Sequence, residues 1–148
     1  KKQKNYTLFI NSLNMGTMVT RKLRELTQEE ILKIMGEKAN KVATKRMKNA
    51  GKLLAEKKQE AFYDEVLKAL WGYISDKLNI PVSQLSKDNI EEKLNEYGVT
   101  SELVTDFINT LNECEFARYA PGNQNEAMDK VYASALDVIS KMENSIKQ

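Results

Sequence analysis

The chain contains no histidine and a single cysteine, Cys114. Without imidazole there is no Ser-His-Asp or Cys-His relay, and zinc sites of His and Cys spacing are excluded. One cysteine leaves no disulfide within the chain and fits a reducing compartment. There are only two prolines and six glycines, few for the tight turns of a β-sandwich, so the chain reads as mostly helix. No run approaches the ~18 consecutive apolar residues of a membrane span. The one long uncharged stretch, Asn5–Thr20, is studded with Asn, Ser and Thr. It lacks the small-residue cleavage site of a signal peptide. Arginine is also scarce, limited to Arg21, Arg24, Arg46 and Arg118.

What remains is a globular composition, 41 % hydrophobic and 30 % charged over 148 residues, enough for one domain with its own core. The charge is split lengthwise. Residues 1–58 carry 15 Lys and Arg against 5 Asp and Glu, whereas residues 59–148 carry 8 against 16, so a net of +10 faces a net of −8. The basic half holds a distinct pattern. Lys38, Lys41, Lys45, Lys48 and Lys52 recur every three or four residues and fall along one side of a helix. Small apolar residues (Ala39, Val42, Ala43, Met47, Ala50, Leu53, Leu54) keep the same period on roughly the other side.

The fold expected from periodicity is all-α, an antiparallel bundle of five to six helices over residues 27–148, preceded by an extension over 1–26. In the extension, Tyr6, Leu8 and Ile10 alternate as in a short hairpin, and an amphipathic helix fits equally. Thr27 and Glu30 form a capping box with Leu26 and Ile31 as staple, opening a short helix to about Met35. The lysine-striped helix follows over roughly 37–57. A helix over about 59–79, with Phe62, Val66, Ala69, Leu70, Tyr73, Ile74 and Leu78 over a wide arc, is expected to be central, stopped by Asn79 and Pro81. Ser86 caps a short helix closed by Gly98, and Thr100 caps the next, buried through Leu103, Phe107, Ile108 and Leu111 and ended by Pro121-Gly122. A last helix spans about 124–146. The second and third helices resemble one tetratricopeptide-like hairpin, with no repeat 34 residues later.

Several residues stand out as candidates. The lysine row reads either as a solvated face or as a surface for an acidic partner, anionic lipid head groups or a nucleic-acid backbone. Nucleic acid ranks lowest, since forked guanidinium groups are few and no exposed aromatics interleave with the lysines to stack bases. Arg118 falls inside the apolar arc of its helix and Phe116 outside it. Arg118 is expected to favour the helix C-terminus or to pair with Glu113 or Glu115. Cys114 lies on the buried stripe, where a thiol packs as a small hydrophobe. Trp71, on the margin of the central helix, reads either as core or as a partner-facing anchor. The acidic residues Glu60, Asp64, Glu65, Glu91, Glu92, Glu96, Glu102 and Asp106 read as surface. The candidate interaction residues are therefore Lys38, Lys41, Lys45, Lys48, Lys52, Trp71, Phe116 and Arg118. No catalytic, cofactor-binding or metal-binding residue is assigned.

Certain runs of residues carry a resemblance. Lys38-Ala39-Asn40-Lys41-Val42-Ala43, then Glu60-Ala61-Phe62-Tyr63 leading into Ala69-Leu70-Trp71-Gly72-Tyr73, resemble the C-terminal region of the BatD family of bacterial aerotolerance proteins. So do Asp76-Lys77-Leu78-Asn79-Ile80-Pro81-Val82 and Cys114-Glu115-Phe116-Ala117-Arg118-Tyr119-Ala120-Pro121. The resemblance covers about residues 37–142 and includes no catalytic motif. It implies a helical cytoplasmic tail following a membrane span, and the start on Lys1-Lys2-Gln3-Lys4 reads as a fragment that follows one. It further implies partners, von Willebrand-type proteins and a MoxR-type ATPase, in an oxygen-tolerance complex at the bacterial inner membrane. The tail is expected to bind proteins rather than catalyse, with an anionic surface as the alternative partner.

Overall fold

The computed structural model describes residues 28–35, 41–119 and 124–146. Expectations for residues 1–26, for the Thr27 cap and for Lys38 lie outside them, as do Pro121 and Gly122 themselves. Among the described residues the fold is all-helical: α1 (Gln28–Met35), α2 (Lys41–Ala55), α3 (Gln59–Leu78), a single 3-10 turn (Val82–Gln84), α4 (Ile90–Glu96), α5 (Ser101–Ala117) and α6 (Gln124–Ser145).

Each boundary has a local cause. After α2 the chain reverses through Lys57, which takes a left-handed φ of 59°. The amides of Lys57 and Lys58 donate to the carbonyls of Leu54 and Leu53 at 3.1 and 3.0 Å, closing the helix in a Schellman turn. Asn79 ends α3 in the same way, with φ 56° and the Ile80 amide donating to Ser75 at 3.1 Å. Gly98, at φ 83°, ends α4 with the Val99 amide on the Leu94 carbonyl at 3.2 Å. At the start of α5 the Thr100 hydroxyl accepts from the Leu103 amide at 3.3 Å, as an N-cap residue should.

Two boundaries differ from the sequence-based expectation. Ser86 does cap, but through a turn: its amide donates to the Asn89 side chain at 2.9 Å, and the Asn89 amide returns to the Ser86 hydroxyl at 3.3 Å. Regular helix begins only at Ile90, whose amide reaches the Ser86 carbonyl at 3.0 Å. At the other end, α5 stops at Ala117, short of the Pro121-Gly122 expected to end it.

The core is one cluster. Ile31, Ile34 and Met35 of α1 are buried and face α2 and α6. Helix α2 buries mostly small groups, Ala43, Thr44, Ala50 and Gly51, together with Met47 and Leu54. That allows the close packing of the α2–α3 hairpin. Helix α3 buries Phe62, Tyr63, Val66, Ala69, Leu70, Tyr73, Ile74 and Leu78 and packs on α2, α5 and α6, the two-sided burial its wide apolar arc predicts. It shares the central place with α6, which packs against α1, α2, α3 and α5 and buries Met128, Val131, Tyr132, Ala135, Leu136, Ile139 and Met142 among others.

Polar groups tie the elements together. The Tyr132 hydroxyl of α6 donates to the Met47 carbonyl of α2 at 3.0 Å. Tyr73 of α3 donates to Glu143 of α6 at 2.9 Å. The same carboxylate oxygen meets Lys77 at 2.9 Å, with only 4 % of the Lys77 side chain exposed.

Candidate interaction site on the lysine helix

Helix α2 has two unlike sides. Its inner side is fixed by the packing just described. Along one edge the Arg46 guanidinium meets Glu65 of α3 at 3.1 Å, and the Asn49 amide donates to the other oxygen of that carboxylate at 2.8 Å. The buried face of α2 sets its rotation, this brace holds its edge on α3, and the lysines fall on the outer side. Lys41, Lys45 and Lys52 point into solvent and Lys48 is half-buried. Glu65, expected as plain surface, is therefore a half-buried brace between two helices.

Lys41, Lys45 and Lys52 make no ion pair among the described residues, whereas Arg46, Lys58, Lys77, Lys87, Arg118 and Lys141 all do. Like charges at four-residue spacing repel by a few tenths of a kcal/mol per pair. The row is thus mildly unfavourable, and at Lys41, Lys45 and Lys52 no ion pair among the described residues offsets it.

The remaining candidates do not join this row. Trp71 is half-buried and packs edge-on against Phe107 of α5, with ring centroids 6.4 Å apart. That places it at the margin of the core. Arg118 pairs across the bundle with Asp64 of α3 at 3.2 Å, not with Glu113 or Glu115. Its carbonyl also accepts from Gln59 at 3.1 Å, so it locks the end of α5 onto the start of α3. Glu113 and Glu115 share its own helix, whereas the partner it meets lies on α3. Phe116 is 78 % exposed, as its place outside the apolar arc implies, and Tyr119, which the periodicity did not single out, is 82 % exposed. The Arg118 guanidinium lies 5.7 Å from the Tyr119 ring centroid.

Cys114 is fully buried. Burial, and then the charges of Glu113 and Glu115, push its thiol up to about 12, which keeps it protonated and unreactive at neutral pH. Among the described residues no group of three or more Cys, Asp or Glu is placed to hold a metal ion, and no described helix is long and apolar enough to cross a membrane.

Compared with protein-family models, curated proteins and solved structures, the chain matches none.

Proposed function

We propose that this chain is a non-enzymatic protein-interaction module that docks an acidic partner on the lysine face of α2. One observation carries the reading: Lys41, Lys45 and Lys52 stand exposed in a row without an ion pair among the described residues, on a helix whose opposite face is buried and whose edge is braced by Arg46 and Asn49 on Glu65. A pre-set row of one sign supplies electrostatic complementarity, which governs encounter and register more than affinity.

The resemblance to the BatD tail gives the module a setting. It would lie on the cytoplasmic side of the bacterial inner membrane, in an oxygen-tolerance complex with von Willebrand-type proteins and a MoxR-type ATPase. The same row also suits phosphate, so an anionic lipid surface or a nucleic-acid backbone is the competing partner.

The experiment is a binding assay of the purified chain against a von Willebrand-type protein and a MoxR-type ATPase, the partners the resemblance implies. It is run with wild type and with Lys41→Glu/Lys45→Glu/Lys52→Glu. Retention of one of these proteins by wild type and its loss in the triple variant supports the proposal. No retention at low salt, or retention that ignores the substitutions, overturns it. Lysine-dependent binding to phosphatidylserine vesicles or to DNA in place of protein transfers the row to the anionic-surface reading.

A further inference from the structure

Helix α5 carries a second exposed row. Glu102, Asp106, Asn109 and Glu113 all face solvent, at spacings of four, three and four residues. Successive steps of about 100° place such positions within about 60° of one another, on one side of the helix. Lys41, Lys45, Lys48 and Lys52 of α2 repeat the same four-three-four spacing. Both rows are therefore about 16 Å long at 1.5 Å per residue. One is basic, the other acidic.

The uncharged or engaged positions also coincide. Asn109 is the one residue of the acidic row without a charge. Its counterpart in the basic row is Lys48, the one lysine of the row that is half-buried and already engaged within the chain. When the helices run parallel, Lys41 faces Glu102, Lys45 faces Asp106 and Lys52 faces Glu113, with Lys48 opposite Asn109. When they run antiparallel, Lys45 faces Asn109 and the half-buried, already engaged Lys48 faces Asp106, so the number of opposite-charge pairs is the same but the exposed Lys45 is left without one. The parallel register satisfies every free charge.

Within one copy the rows cannot meet. Helices α2 and α5 both pack against α3, and Glu102, Asp106 and Glu113, like the three lysines, make no ion pair among the described residues. We infer that the lysine row of α2 docks on the acidic row of α5 in a second copy of this chain, the helices parallel and Lys45 opposite Asp106. This deepens the proposed function and rests on it, naming a second copy as an acidic partner of the lysine face. The contact is heterologous: a joined pair leaves the acidic row free on one copy and the basic row free on the other, so association continues head to tail or closes into a ring.

The test is sedimentation velocity of the full chain at about 10 mM ionic strength, where charges act over about 30 Å. Wild type is expected to associate reversibly, well above its 16.9 kDa, and to return to monomer near 0.5 M salt. Lys45→Glu and Asp106→Lys are each expected to weaken self-association about tenfold, and an equimolar mixture of the two is expected to restore it, because the reversed charges then face each other. Both positions are exposed, and circular dichroism confirms that the variants fold. A monomer at low salt, association indifferent to either reversal, or no rescue on mixing overturns the inference. If self-association fails but the triple lysine variant still loses a heterologous partner, the docking role of α2 stands and only the second copy is excluded. If both fail, the lysine face is solvent.

Discussion

The Tyr132 hydroxyl occupies the place a side chain at position 51 would need: a Cβ built on Gly51 would lie 2.9 Å from it. Glycine is therefore required on α2 by a residue of α6, because the hydroxyl must pass to reach the Met47 carbonyl at 3.0 Å. Gly51→Ala is expected to cost about 1–2 kcal/mol, overpacking against a buried ring outweighing the gain in helix propensity of about 1 kcal/mol. Tyr132→Phe should cost about 1 kcal/mol by removing the hydrogen bond. In the double variant the new methyl meets only ring carbon, at 3.4 Å, so Gly51→Ala should there be neutral to stabilising, by up to about 1 kcal/mol. Urea midpoints around this cycle check it, and strictly additive costs would refute the steric link.

Lys57 turns the chain between α2 and α3 with φ 59°, a conformation that costs a residue with a Cβ about 1 kcal/mol. Its side chain is exposed, so replacing it removes little packing. Lys57→Gly should stabilise the chain by about 0.5–1 kcal/mol, part of the gain being offset by the greater freedom of glycine when unfolded. Asn79→Gly, at nearly the same φ of 56°, should gain less, since asparagine tolerates this region. A midpoint for Lys57→Gly at or below wild type would show that the turn is unstrained.

Helix ends governed by neighbouring residues were legible in the sequence. Thr100 and Gly98 act where their chemistry required, and α6 runs from Gln124 as its periodicity indicated. What depends on a distant segment was not. The left-handed Lys57 carries no glycine or asparagine signal, and the partner of Arg118 lies 54 residues away in Asp64. The lysine row could be read because its regularity lies within one helix. The matching row of α5 is equally regular, but only Glu102 and Asp106 of it stand out as surface acids in the sequence, and exposure in the structure is what joins them to Asn109 and Glu113.

Lys77 is held under the bundle surface by Glu143, which also accepts from Tyr73. One oxygen of Glu143 is buried with no hydrogen-bond partner, so the carboxylate is placed for its two contacts and not fully satisfied. Glu143→Ala should cost about 3 kcal/mol, because it leaves the Lys77 ammonium buried without this counter-charge. Lys77→Met with Glu143→Leu should cost much less than either charge deletion alone, since neither charge then needs burying. Thermal or urea unfolding of the three variants decides it. A double variant as unstable as Glu143→Ala would mean that packing, not charge, sets the loss.

The buried thiol and a neighbouring phenol predict a specific alkaline sensitivity. Burial first, and then the charges of Glu113 and Glu115, raise the Cys114 thiol from 9.0 to about 12. Burial, and then the charge of Cys114, raise the Tyr63 hydroxyl from 10.0 to about 12. Both groups are neutral while protonated, and the fold keeps their protons to higher pH than the unfolded chain does. Below pH 9 both states hold these protons and the contribution is intact. Between 9 and 12 the unfolded chain releases them while the native one does not, so stability falls as pH rises. Three pKa units correspond to about 4 kcal/mol as an upper figure for the thiol. Cys114→Ala should start less stable at pH 8, by about 1 kcal/mol for the lost sulfur contacts, yet decline less steeply from pH 9 to 11, because only the tyrosine then contributes to the loss and not the thiol as well. Urea midpoints measured across that range for both proteins give the two slopes. Parallel slopes would mean that Cys114 ionises as readily in the native state as in the unfolded one, which is incompatible with its burial.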